Sequence, residues 1–220
     1  RRAEARGDDS LSRPALHGID RALDRIIDRD GGFYVEAGAN DGYAQSNTYW
    51  LARFRGWRGV LVEPIPELFA EVVRERPEAH AFNCALVPFG HPGETVEMRY
   101  GGLMSVVAGA RGSEADDRAY VGTAFLLGIE EERDVVVPAR TLSSILDELG
   151  APEVDLLSLD VEGFEPSVLE GLDLERHAPR FVLVEVHDVS GGRERIEAIL
   201  GERYEPLGPL SPGDVLYRRR

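Results

Sequence analysis

The sequence has no lysine: all 25 of its basic residues are arginine. That absence excludes chemistry that needs an ε-amino group, including a P-loop lysine, a Schiff-base lysine and the Tyr/Lys pair of short-chain reductases. Positive charge is scarce as well. The 25 Arg stand against 40 Asp and Glu, a net charge of −15, which argues against nucleic acid as a partner because a grip on phosphates takes clustered cations. A single cysteine, Cys84, permits neither an internal disulfide nor a Cys-rich metal site, and a reducing cytoplasm is the expected compartment. No apolar run approaches the ~20 residues of a membrane span, so no membrane partner is expected, and no signal-peptide core follows Arg1. The first residue is not Met, which leaves a removed leader open.

What is present suffices for one large domain, which at 220 residues buries roughly 70% of the surface its unfolded chain exposes. Residues 1–32 hold seven Arg and seven acids, so the entire acidic excess lies in 33–220. After Pro14, the helical spacing of Leu16, Ile19, Leu23, Ile26 and Ile27 predicts an amphipathic helix of about four turns, stopped at Gly31-Gly32. Short apolar runs then alternate with helical stretches. Strands are expected at 33–35, 59–62, 79–82, 135–137, 154–159 and 181–186, with two more near Tyr204 and Val215. Helices are expected at 46–54, 67–74, 141–149, 165–172 and 193–200. Strands apolar on both faces, each followed by a helix, predict an α/β domain with a doubly wound, mainly parallel sheet covered on both sides. The expected division is a helical extension, 1–32, and one domain, 33–220. Regularity lapses at 100–134, where Gly101-Gly102-Leu103-Met104-Ser105 reads as flexible and 112–134 carry seven acids against two Arg. We expect a lid over the site there.

The first strand ends in Glu36-Ala37-Gly38-Ala39-Asn40-Asp41-Gly42. A glycine turn at that place lets the backbone approach a ligand and aims N–H groups into the crevice at the strand ends. Its spacing is Gly-x-x-x-Gly with acids on either side, which suits a cationic ligand such as S-adenosylmethionine better than a dinucleotide pyrophosphate. Glu63 closes the next strand 25 residues after Gly38, where a carboxylate can accept both hydroxyls of a ribose. Asn83, after the third strand, stands where an adenine contact would lie. Asp160 and Glu162 follow the run 154–159 two residues apart, and Glu185 and His187 repeat that spacing after the next run. Four ionisable groups at the ends of central strands are costly unless they bind or catalyse something. Methyl transfer to an alcohol needs the acceptor's proton removed or its oxygen bound to a metal. Asp160, His187 and Glu162 are therefore the candidate catalytic residues, with His187 a candidate base, while Asp160 and Glu185 are candidate ligands for Mg²⁺. Both routes stay open.

Four blocks in this order, Glu36 to Gly42, Ser46-Asn47-Thr48, Gly56-Trp57-Arg58-Gly59-Val60-Leu61-Val62-Glu63-Pro64 and Leu159 to Glu165, resemble the FkbM-type S-adenosylmethionine-dependent methyltransferases across residues 33–190. The resemblance implies a Rossmann-like class I methyltransferase sheet and O-methylation of a sugar or another small hydroxylated natural product. It puts Glu36, Gly38, Asn40 and Asp41 at the methionine end of the cofactor, Glu63 at its ribose, and Asn83 and Ser105 near adenine. Ser46 and Asn47 would cap the first crossover helix or face the pocket, and Trp57 would pack in the core. Acids at the ends of the fourth and fifth strands favour Asp160 and Glu185 as metal ligands. Two other readings are a nicotinamide-dependent reductase or epimerase of nucleotide sugars, which would lack its usual glycine spacing and lysine, and a non-catalytic adenosine-ligand module, which would have no use for the acidic quartet. The extension 1–32 could cover the cofactor, shape the acceptor pocket or mediate a homo-oligomer.

Overall fold

The computed structural model describes residue 4 and residues 11–123, 133–186 and 191–220. The chain runs through α1 (Ile19–Ile27), β1 (Phe33–Ala37), α2 (Tyr49–Phe54), β2 (Arg58–Val62), α3 (Pro66–Glu75), β3 (His80–Phe82), β4 (Ala85–Leu86), β5 (Thr95–Tyr100) and β6 (Val106–Val107). It continues through α4 (Glu114–Gly122), β7 (Arg133–Arg140), α5 (Leu142–Leu149), β8 (Leu156–Leu159), α6 (Glu165–Leu169), β9 (Phe181–Glu185), α7 (Gly192–Leu200), β10 (Tyr204–Pro209) and β11 (Asp214–Arg219).

The main sheet has seven strands in the order β10-β11-β9-β8-β1-β2-β3. β3, β2, β1, β8 and β9 are parallel, while β11 runs antiparallel to both β9 and β10. The chain steps outward from β1 to β3, then returns to place β8 on the other side of β1, so the strand order reverses between β1 and β8. A crevice opens at the carboxyl ends of strands at such a reversal. Ala37 pairs with both Val62 and Leu159, so Gly38, Glu63 and Asp160, the next residue of each strand, emerge level with one another at that edge.

The period-two alternation of the strands sorts their side chains into two cores. Val35, Val60, Leu157 and Val182 pack with Ile145, Val168 and Ile196 of α5, α6 and α7. On the opposite face Tyr34, Leu61, Leu156 and Leu183 pack with Leu23, Leu51 and Val72 of α1, α2 and α3. Each such buried aliphatic side chain contributes about 1.5–3 kcal/mol. Trp57 is buried in the second core and donates its indole N–H to Arg29 O at 2.7 Å, as a core role requires.

Two stretches depart from the sequence-based expectation. The first helix is nine residues long, because His17 and Gly18 take positive φ (53° and 71°) and set Leu16 in a separate turn. The segment 100–134, expected to be irregular, contributes β6 and α4, and β4-β7-β5-β6 form a second, four-stranded sheet. Apolar periodicity could not reveal α4, since only Asp117 and Val121 are buried in it. Polar contacts fix it instead: Ser113 Oγ accepts from Asp116 N–H (3.1 Å), and the Asp117 carboxylate accepts from the N–H groups of Gly109 (2.5 Å) and Arg111 (3.0 Å). Residues 124–132 lie outside the described part. Among the described residues no helix is long and apolar enough to cross a membrane.

Candidate active site

The ends of β1 and β8 touch through their backbones. Asp160 N–H donates to Ala37 O (3.2 Å), and Gly38 N–H reaches across to Val62 O (3.1 Å). Gly38 has φ +82°, and a Cβ there would fall 1.8 Å from Asp160 O. Only glycine satisfies both the left-handed conformation and the close approach.

Beyond Gly38 the turn delivers Asn40, also left-handed at φ +50°, so that its N–H donates to Glu63 Oε2 at 2.8 Å. The other oxygen of Glu63 accepts from Ile65 N–H at 2.9 Å. Glu63 is 4% exposed. Burial pushes its pKa from 4.5 up to about 7, against the pull of the Ile65 and Asn40 N–H groups. Asn83 lies outside the cavity lining, and its Nδ2 donates to Glu63 O (2.9 Å) and Pro64 O (2.8 Å), bracing the strand end.

Glu36 is buried and fully engaged with the start of the first crossover. It accepts from Ser46 Oγ (2.8 Å), Asn47 N–H (2.7 Å) and Thr48 Oγ1 (2.6 Å). Ser46 Oγ in turn accepts from Tyr49 N–H (3.1 Å), which opens α2 in the manner of a cap. Asn47 Nδ2 donates to Ser158 Oγ at 3.1 Å, tying this loop to β8. Asp41 closes its own turn, accepting from the N–H groups of Tyr43 (2.8 Å) and Ala44 (2.6 Å).

These loops and the second sheet enclose a cavity of about 320 Å³. Of the residues singled out in the sequence, Glu36, Gly38, Asn40, Ser46, Glu63, Ser105, Asp160 and Glu162 line it; Asp41, Asn83 and Glu185 do not. His187 lies outside the described residues. Ile65, Leu68, Met98, Leu103 and Met104 supply apolar wall. Ser105 spends its hydroxyl on its own turn, donating to Gly102 O at 2.7 Å and accepting from Gly101 N–H at 3.1 Å.

The far side of the cavity is acidic. Burial lifts the Asp160 carboxyl well above the usual range, and the charges of Glu185 and Glu162 lift it further; Asp160 and Glu185 also share a side-chain hydrogen bond. The neutral form of Asp160 is thereby favoured over its carboxylate. Glu162 has φ +59°, a strained setting for a residue without glycine's freedom. Tyr120 of α4 donates its hydroxyl to Glu162 Oε2. Arg111 lies 3.6 Å over the Tyr120 ring and donates to Glu162 O at 3.2 Å. Glu165 Oε1 accepts from Val161 N–H (3.0 Å) and Gly163 N–H (3.1 Å), fastening the turn. Sequence reading missed Tyr120 and Arg111, because they come from the insert and carry no motif. Thr48 was visible inside its block but had been given no role. Among the described residues no group of three or more His, Cys, Asp or Glu could hold a metal ion. The Mg²⁺ site considered from sequence finds no support among the described residues.

Comparison with known proteins agrees with this geometry. A family model described as the methyltransferase FkbM domain matches residues 36–205. The chain is 36% identical over 94 residues to a methyltransferase named sdnD from Sordaria araneosa, an overlap of 42% of this chain and 36% of that protein. It also resembles the crystal structure of a methyltransferase FkbM from Methylobacillus flagellatus, with TM-score 0.53 and 14% identity over 86% of this chain and 44% of that one. A further likeness in fold is to fibrillarin of Aeropyrum pernix, solved with natively bound S-adenosyl-L-methionine, at TM-score 0.51 and 12% identity over 96% of this chain and 76% of that one. The chain thus spans less than half the length of the sdnD and FkbM proteins.

Proposed function

This chain belongs to the methyltransferase FkbM domain family, and on that premise we propose that it is an S-adenosylmethionine-dependent O-methyltransferase acting on a hydroxyl of a sugar or another small hydroxylated molecule. One observation carries the reading: the buried carboxyls of Glu63 and Asp160 line the same cavity, on either side of the Gly38 joint.

The cofactor supplies an electrophilic methyl group on a sulfonium centre whose departure needs no proton. Everything else falls to the protein. Glu63 accepts only two backbone N–H bonds, and a carboxylate has about four acceptor positions; those left over suit the two ribose hydroxyls. The apolar wall of Ile65, Leu68 and Met98 suits the face of an adenine. Glu36, which accepts three bonds from Ser46, Asn47 and Thr48, chiefly holds the loop. On the acidic side Asp160, paired with Glu185, is placed to take up the acceptor's proton, and Glu162, held by Tyr120, orients the acceptor hydroxyl. Holding donor and acceptor in line contributes a large share of the acceleration.

Titration calorimetry with S-adenosylhomocysteine and with NAD tests the reading, followed by transfer of labelled methyl to a panel of hydroxylated sugars. Binding of S-adenosylhomocysteine without NAD is expected. Binding of NAD alone would return the nicotinamide-dependent reading.

A further inference from the structure

Arg76, just past the end of α3, is a guanidinium only 6% exposed. Nη1 donates to Gly42 O (3.2 Å) and Ser46 Oγ (3.4 Å); Nη2 donates to Tyr34 Oη (2.9 Å) and Thr48 Oγ1 (3.4 Å). Its central carbon sits 5.4 Å from the ring centres of both Tyr34 and Tyr49. No carboxylate among the described residues pairs with it directly. Negative charge reaches it through two hydroxyls instead, since Ser46 Oγ and Thr48 Oγ1 both donate to Glu36 Oε2 (2.8 and 2.6 Å).

We propose that Arg76 is a positioning residue for cofactor binding, fastening both ends of the loop that walls the cavity. This rests on reading that cavity as the S-adenosylmethionine site. A hydroxyl that accepts from a cation while donating to an anion is polarised in one direction, and each bond strengthens the other. The Gly42 carbonyl anchors the front of the loop and the two hydroxyls its back. The residues from one anchor to the other include Ala44, Gln45, Ser46 and Asn47, all of which line the cavity, whereas Arg76 does not. Its effect on a ligand therefore passes through the loop. Removing the guanidinium leaves a buried carbonyl unpaired, frees both hydroxyls to rotate, and strips Glu36 of its relayed countercharge.

The test is S-adenosylhomocysteine affinity by titration calorimetry on the full chain, with melting temperature recorded beside it. Arg76→Met, neutral and of similar bulk, is expected to weaken binding about tenfold or more. Thr48→Val is expected to weaken it several-fold, and Thr48→Ser, which keeps the hydroxyl, to restore the parent value. In the double variant Arg76→Met/Thr48→Val the loss should not exceed that of Arg76→Met alone, because both break one relay. Arg76→Met binding within twofold of the parent, or losses that multiply in the double variant, would overturn the proposal. Should Arg76→Met not fold, the Thr48 pair decides: equal affinities for Thr48→Val and Thr48→Ser would also overturn it. A parent protein that binds no S-adenosylhomocysteine would instead overturn the reading of the cavity.

Discussion

The two sides of the cavity handle buried acid in opposite ways. At the ends of β1 and β2, Glu36 and Glu63 are surrounded by N–H and O–H donors from their own loops. At the ends of β8 and β9, Asp160 is buried near Glu185 and Glu162, so like charge meets like charge and its carboxyl is pushed well above the usual range. Donors around a carboxylate make a fixed receptor for hydroxyl groups; acids around a carboxyl make a place where a proton can be given or taken. On the function proposed above, recognition falls to one side and chemistry to the other.

The sharpest way to break that division is Asp160→Ala. Turnover on an acceptor found by the sugar panel should fall by about 10²–10⁴-fold, while S-adenosylhomocysteine affinity stays within about tenfold. A variant that turns over normally would end the proton-transfer role. Gly38→Ala attacks the joint between the sides. With its Cβ aimed 1.8 Å from Asp160 O and φ at +82°, it is expected to cost about 3 kcal/mol or more and to lose cofactor binding, as melting curves and calorimetry would record.

Glu63→Gln probes the recognition side alone. Unfolded, this carboxyl ionises near 4.5; folded, near 7. Between those values the unfolded chain gives up its proton first, so stability of the free protein falls as pH rises, by about 3 kcal/mol in all. Asp160, raised as well, adds to the slope. Glu63→Gln should therefore melt like the parent near pH 4 and higher than the parent at pH 8, while binding S-adenosylhomocysteine more weakly by about 1–3 kcal/mol. Equal melting at pH 8 would show that the buried charge is compensated. Asp41→Ala gives the smallest effect expected. It removes a turn-closing acceptor outside the cavity, costing about 1 kcal/mol of stability and leaving affinity within about threefold.

The recognition side was the more legible in the sequence. Gly38, Asn40 and Glu63 sit where a strand ends and a helix is about to begin, and that register alone carries them to the cavity. Asp41 and Asn83 fit the same pattern on paper, yet both spend their polar atoms on the backbone, a choice made by turn geometry that spacing does not encode. The acidic side was legible only in part. Asp160 and Glu162 were visible at the end of an apolar run, but Glu185, closing the neighbouring β9, does not line the cavity. Tyr120 arrives from a helix whose amphipathic signal is faint, and Arg111 from the turn before it. The sheet itself was readable because its strands are apolar on both faces; the second sheet was not, because β4 and β6 are two residues each.

That second sheet has a consequence for how such proteins diversify. Its strands supply Met98, Val107, Ala85 and Leu86 to the cavity, yet among the described residues they pair with one another and with no strand of the large sheet. The vestibule is thus a module bolted beside the frame. On the function proposed above, exchange of residues 101–123 between relatives would redraw the acceptor's outline while Ile65, Leu68 and Met98 stay in place, so new substrates are reachable by swapping a cassette instead of remaking a fold.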